Sequence, residues 1–148
     1  MIRLSRPPRI KVLEALGAVA GGRVTCLSDF EAVVAASEGQ RAYKVFVDLD
    51  KRVAESDDNG TVYRNYVGYP IIAFLMARKV LPYFEEVGRP LAAVKWRTIN
   101  EKYKSYRAVE TVIKSMLSKQ GVSSHKVDEI VALVLDKLDE LQLSKHST

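Results

Sequence analysis

Few side chains in the chain could bind a transition metal: His125, His146 and the single cysteine, Cys26. They stand about 100 and 20 residues apart, whereas a zinc site gathers three or four N or S ligands. No metal site is expected from them, and one cysteine cannot form an intramolecular disulfide. Cys26 has no histidine near it in sequence and lies in an apolar stretch, so a buried, inert thiol is expected. Carboxylates are more crowded. Asp48, Asp50, Glu55, Asp57 and Asp58 fall within eleven residues, and such groups can hold Mg²⁺ or Ca²⁺ or act as acid and base. Asp57-Asp58-Asn59-Gly60 matches the start of a calcium loop, but the twelfth position, where that loop needs Glu, is Gly68. A polar turn is the simpler reading. The chain has no G-x-S-x-G, no P-loop and no G-x-G-x-x-G, so neither an activated serine nor a glycine-rich phosphate cradle is expected. No cofactor and no catalytic residue is assigned.

The basic residues carry the strongest pattern. The 148 residues hold 23 Lys+Arg against 18 Asp+Glu, a net charge of +5. Residues 1–28 have five bases and one acid, and residues 69–120 have ten bases and four acids. Residues 29–68 and 121–148 are acidic in balance. Arg3, Arg6, Arg9 and Lys11 form a basic N-terminal arm of the kind that can follow a phosphate backbone. Arg97, Lys104, Arg107 and Lys114 are spaced by 7, 3 and 7. On one continuous helix they would fall in a strip about 100° wide, a cationic ridge able to track phosphates. An ordinary solvated helix face gives the same spacing.

The elements that must position these residues follow from periodicity and turn chemistry. Ile10, Leu13 and Leu16 recur at helical spacing from Arg9 to Ala20, and Gly21-Gly22 ends that helix. Strands are expected over Arg23–Leu27, Glu31–Ala36, Tyr43–Asp48 and Arg52–Ser56. Asn59-Gly60 predicts a type I′ hairpin returning through Val62–Val67. Pro70 opens an apolar helix to about Leu81, and residues 82–90 read as a linker. Thr98-x-x-Glu101 is a capping box for one long helix, with Ile99, Tyr103, Tyr106, Ile113 and Leu117 on its apolar stripe. Ser123 or Ser124 caps the last helix, whose stripe is Val127, Ile130, Val131, Val134, Leu138 and Leu141. The predicted class is α+β: an N-terminal helix, an antiparallel β-meander of about four strands, then three helices. The division expected is residues 1–90 as an α+β unit and 91–148 as a helical hairpin packed with it.

Residues 31–81 resemble the SWIM-type domain, a small zinc-binding module built as a hairpin followed by an apolar helix. Val33 to Ser37, Tyr43 to Asp48, Glu55-Ser56-Asp57-Asp58 and Gly68-Tyr69-Pro70-Ile71-Ile72-Ala73-Phe74-Leu75 follow its order. Glu55, Asp57, Gly68 and Pro70 stand where that family carries its ligands. The resemblance therefore implies a metal-free relative, and it implies a module for contacts to DNA or protein.

The longest apolar run, Ile71 to Ala77, has seven residues, against about 20 for a membrane helix. A cytoplasmic, non-membrane protein is expected. The scarcity of Asn and Gln, three of each, is expected of a thermophile's chain. The leading functional expectation is a non-catalytic module binding DNA or RNA through Arg3, Arg6, Arg9, Arg97, Lys104, Arg107 and Lys114. The alternative is a protein-interaction subunit, such as a homodimer, joined through its C-terminal helices. An enzyme using the hairpin carboxylates stands third.

Overall fold

The computed structural model describes residues 1–146. The chain is α+β, with a six-stranded mixed sheet in the order β1-β6-β5-β4-β3-β2. Four strands, β2 (Val24–Cys26), β3 (Glu31–Ala35), β4 (Ala42–Asp48) and β5 (Val53–Ser56), form the antiparallel meander. Alternation decides its faces: Ala32, Val34, Val45 and Val47 are buried, while Lys44 and Phe46 lie outward. Two short strands were not legible beforehand. β6 (Ser144–Lys145) runs parallel to β5, and β1 (Ile2–Arg3) pairs antiparallel to β6, so the chain ends close one sheet edge.

Among the described residues there are seven helices: α1 (Ile10–Ala20), α2 (Asn59–Tyr63), α3 (Tyr69–Ala77), α4 (Glu85–Leu91), α5 (Trp96–Tyr103), α6 (Tyr106–Lys119) and α7 (Ser124–Leu141). Helix α3 lies on the sheet and against α1, and α1 packs in turn on α4, α6 and α7. Both central helices are apolar nearly all round, as a helix enclosed on every side must be: Val12 to Ala18 and Pro70 to Met76 are buried without a break. Gly17 permits the closest approach, since a Cβ there would stand 2.7 Å from the carbonyl oxygen of Leu91 on α4. One core runs from Leu4 to Leu143 and takes in both predicted halves. No helix among the described residues is long and apolar enough to cross a membrane.

Several local expectations fail for tertiary reasons. Asn59-Gly60 is not a hairpin turn. It opens α2, whose N-cap Asp58 accepts a hydrogen bond from Thr61 N at 3.0 Å, and no strand forms over Val62–Val67. The buried side chains of Asp58 and Thr61 also bond each other, and Gly68 N donates to Thr61 Oγ1, tying this segment to the start of α3. The expected linker holds α4, with Pro90 inside it. The expected long helix is two. It breaks at Lys104, which adopts a left-handed conformation at φ 56°, and Ser105 caps α6. The Thr98–Glu101 capping box does not form; Glu38, from the β3–β4 turn, takes both the Thr98 N–H and its hydroxyl. Cys26 is exposed rather than buried. The apolar face of α7 is spent on the chain's own core, where Val127, Ile130, Val131, Val134 and Leu138 are buried.

Candidate functional site

The break at Lys104 divides the predicted cationic ridge, and two of its four members, Arg97 and Lys114, already have partners. Arg97, on α5, pairs with Glu101 at 3.2 Å. Lys114, on α6, sits 3.2 Å from Glu110 and 2.7 Å from Asp128. Arg9 bonds the same two carboxylates, Glu110 at 3.1 Å. Arg6 bonds Asp136, at 2.8 Å, and Asp139. Arg6, Arg9 and Lys114 thus meet acids of the last helix within one molecule. Two bases hold the Glu110 carboxyl below its ordinary range against the opposing effect of burial, and Lys114 does the same for Asp128. Arg3, Lys104 and Arg107 are exposed and have no carboxylate partner among the described residues.

The four positions aligned with the SWIM-type ligands lie in ordinary structural roles. Glu55 accepts from His146 N, Asp57 accepts from Lys44 N, and Gly68 and Pro70 begin α3.

A different site stands at the centre of the molecule. Glu14 lies in the middle of α1 and is 3% exposed. A carboxylate so placed must be paired or it would not remain charged. Lys11, one turn earlier, puts its ammonium 3.2 Å and 3.5 Å from the two Glu14 oxygens. Asn100, from α5, donates its amide NH to Glu14 Oε1 at 3.2 Å. The Lys11 ammonium also lies 5.1 Å from the centre of the Tyr106 ring. Burial disfavours this ammonium, but Glu14, with Tyr66 and Tyr106, more than restores it and raises its pKa above that of an ordinary lysine. Burial pushes the phenols of Tyr66 and Tyr69 well up. Lys11, Tyr66 and Tyr69 therefore stay protonated at neutral pH.

Above Glu14 opens a cleft of about 660 Å³, walled by Tyr43 and Tyr69 on one side and by Trp96 and Asn100 on the other, with Arg41 and Arg97 at its rim. Helix α5 supplies the second wall, and the β3–β4 turn fixes it there. Ser37 Oγ accepts from Trp96 N at 3.0 Å, and Glu38 caps α5 through Thr98 N at 2.9 Å. These bonds replace the missing N-terminal cap of the helix and hold Glu38 below its ordinary pKa. Arg41 lays its guanidinium on the Tyr43 ring, 4.9 Å from the centre.

The hydrogen-bonding capacity of this region is not used up. Among the described residues, the buried side-chain nitrogens and oxygens without a partner are Trp96 Nε1, Asn100 Oδ1 and Arg23 Nε and Nη2. Trp96, Asn100 and Glu14 line the same cleft, and the Glu14 charge also acts on Arg23. Sequence reasoning placed Lys11 in the basic arm and did not single out Glu14, Tyr43, Trp96 or Asn100 as site residues. One signal was available: Glu14 is an acid set inside the apolar run Val12-Leu13-Glu14-Ala15-Leu16, where a surface helix would show none.

No curated protein and no solved structure matches the chain. A family model described as "Uncharacterised conserved protein UCP014422" matches residues 4–144, nearly the whole of the fold built around Glu14, and the chain belongs to that family.

Proposed function

We propose that this is a binding protein whose site is the cleft over Glu14 and whose ligand is a small organic anion. The observation that carries the reading is that two of the residues lining the cleft with Glu14, Trp96 and Asn100, each hold a buried polar atom without a partner. A buried donor or acceptor left unsatisfied costs about 1–3 kcal/mol, and a ligand that meets those atoms returns that cost as affinity. The charge of the lining favours an anion. Lys11, Arg41 and Arg97 outnumber Glu14 and Glu101 there. The Arg97–Glu101 pair is exposed on both sides, worth only about 0.3–0.5 kcal/mol, so Arg97 exchanges that partner readily. Trp96 is the single tryptophan, and its emission reports on the cleft directly. Titration with a panel of small anions and size-matched cations should give saturable changes for anions alone. A flat response to every anion contradicts the proposal.

A second reading, sequence-independent contact with DNA or RNA, draws support from the three unpaired bases Arg3, Lys104 and Arg107 and from the net charge of +5. Three phosphate contacts correspond to a log K against log salt slope near −2.7 on duplex DNA, from about 0.9 per phosphate. Anisotropy of labelled DNA and RNA over a salt series tests it; no binding at low salt removes it.

A further inference from the structure

The cleft's unpartnered atoms also have a pattern. Trp96 and Asn100 are one turn apart on α5, so they share a helix face. The indole Nε1 is a donor only. The Asn100 amide is oriented by Glu14: a carboxylate can only accept, so Nδ2 faces it and Oδ1 is the free acceptor. One unpartnered donor and one unpartnered acceptor therefore belong to residues one turn apart on the helix that lines the cleft. Trp96 is 6% exposed, so water does not substitute freely for its missing partner.

We infer that the ligand is a nucleotide: a nucleobase read by Trp96 and Asn100, with its phosphate held at the rim by Arg41 and Arg97. This rests on the cleft reading above. Each nucleobase carries, on its Watson–Crick edge, a ring or carbonyl acceptor next to an N–H donor, the complement of an indole N–H beside an amide oxygen. The two rim residues are arginines, whose planar forks suit phosphate oxygens. Arg41, with its guanidinium 4.9 Å from the centre of the Tyr43 ring, offers a cationic group on which a base can stack. The cleft, about 660 Å³, falls inside the usual range of about 300–1,000 Å³ for small-molecule sites. The same chemistry is offered by a free mononucleotide and by the phosphorylated end of a nucleic-acid strand.

The experiment is isothermal titration calorimetry of the full chain with the four ribonucleoside 5′-monophosphates. Parallel titrations use the matching nucleosides, ribose 5-phosphate, inorganic phosphate, benzoate and a 5′-phosphorylated hexanucleotide. At least one monophosphate should bind, and deleting either the base or the phosphate should weaken it at least tenfold. Trp96→Phe, which keeps a ring and removes the donor, should weaken that nucleotide about tenfold. Arg41→Gln with Arg97→Gln, both on exposed residues, should erase the advantage of nucleotide over nucleoside without touching the core. Tighter binding of the hexanucleotide assigns the site to strand ends, and equal or weaker binding assigns it to free nucleotides. Ribose 5-phosphate or inorganic phosphate binding as tightly as every nucleotide overturns the inference and leaves the anion cleft standing, as does binding of benzoate alone. Absence of heat from all probes overturns both.

Discussion

The Lys11 ammonium stands 3.2 Å from the buried Glu14 carboxylate, one turn away on the same helix, and Asn100 reaches the same carboxylate from 86 residues further along the chain. This contact ties the apolar centre of the fold to the outer helix α5, whose only buried residue is Trp96. A charge enclosed in this way is held by its partners, and removing one partner exposes the cost of the other.

Lys11→Met should therefore destabilise the protein by about 3–5 kcal/mol, because Glu14 is left buried and unpaired. The double variant Lys11→Met with Glu14→Leu should recover most of that loss, since an apolar pair of similar volume removes both desolvation costs. Urea melts of the two variants and the wild type check this. A double variant no more stable than Lys11→Met would show that the pair is not a closed unit.

Gly60 is predicted to be sensitive for a reason the hairpin reading did not contain. It has no positive φ; a Cβ there would instead meet the Tyr66 ring, 2.6 Å from Cζ and 2.8 Å from the hydroxyl. Gly60→Ala should cost about 1–3 kcal/mol by overpacking. The cost should shrink in a Tyr66→Ala background, a coupling that backbone strain in a type I′ turn would not show. A double-mutant cycle by chemical denaturation separates the two.

That contrast shows what the sequence makes legible. The meander follows from alternation that local residues carry themselves, as with Val45 and Val47 against Lys44 and Phe46. The start of α7 follows from Ser123, whose hydroxyl accepts from Lys126 N. Asn59-Gly60 and Thr98-x-x-Glu101 are equally strong local signals, yet neither forms the structure it signals. Asp58 caps a helix through Thr61 N where the hairpin is expected, and Glu38 caps the helix at Thr98 from 60 residues away. The break at Lys104 leaves the apolar spacing of both helices intact, so periodicity alone could not reveal it. The cleft was hidden for the same reason as the caps: Glu14, Tyr43 and Trp96 come from three elements that only the tertiary fold joins. The basic residues and the acidic balance of residues 121–148 were visible, but not their pairing: Arg6 with Asp136 and Asp139, and Arg9 and Lys114 with Asp128.

Those ion pairs carry a pH dependence. Glu110 and Asp128 have lowered pKa values in the folded state. A carboxyl with a lowered folded pKa contributes stability above its unfolded pKa, about 3.9–4.3, and loses it as pH falls through the folded value. Stability should thus decline below about pH 4, and Glu110→Gln should flatten that decline while lowering stability at pH 7. Urea midpoints between neutral and acid pH check the sign; an unchanged acid limb in Glu110→Gln contradicts it.

The surface cations should divide by their pairing. Lys104→Ala with Arg107→Ala should leave stability within about 0.5 kcal/mol and, if nucleic acid binds, flatten the salt slope by about 2. Lys114→Ala should instead lower stability, since it uncouples Glu110 and Asp128, and should leave the slope unchanged. Equal slope changes from the two variants would show that Lys114 exchanges its partners for phosphate.

The most direct measurement is the indole ¹H–¹⁵N cross-peak of Trp96, a single resonance because the chain has one tryptophan. Its N–H has no acceptor in the free protein. Addition of the bound anion or nucleotide should move this peak downfield in a saturable way, together with the backbone amides of Asn100 and Tyr43. A peak that stays fixed while amides around Lys104 and Arg107 move would place ligand on the outer surface and contradict a site over Glu14.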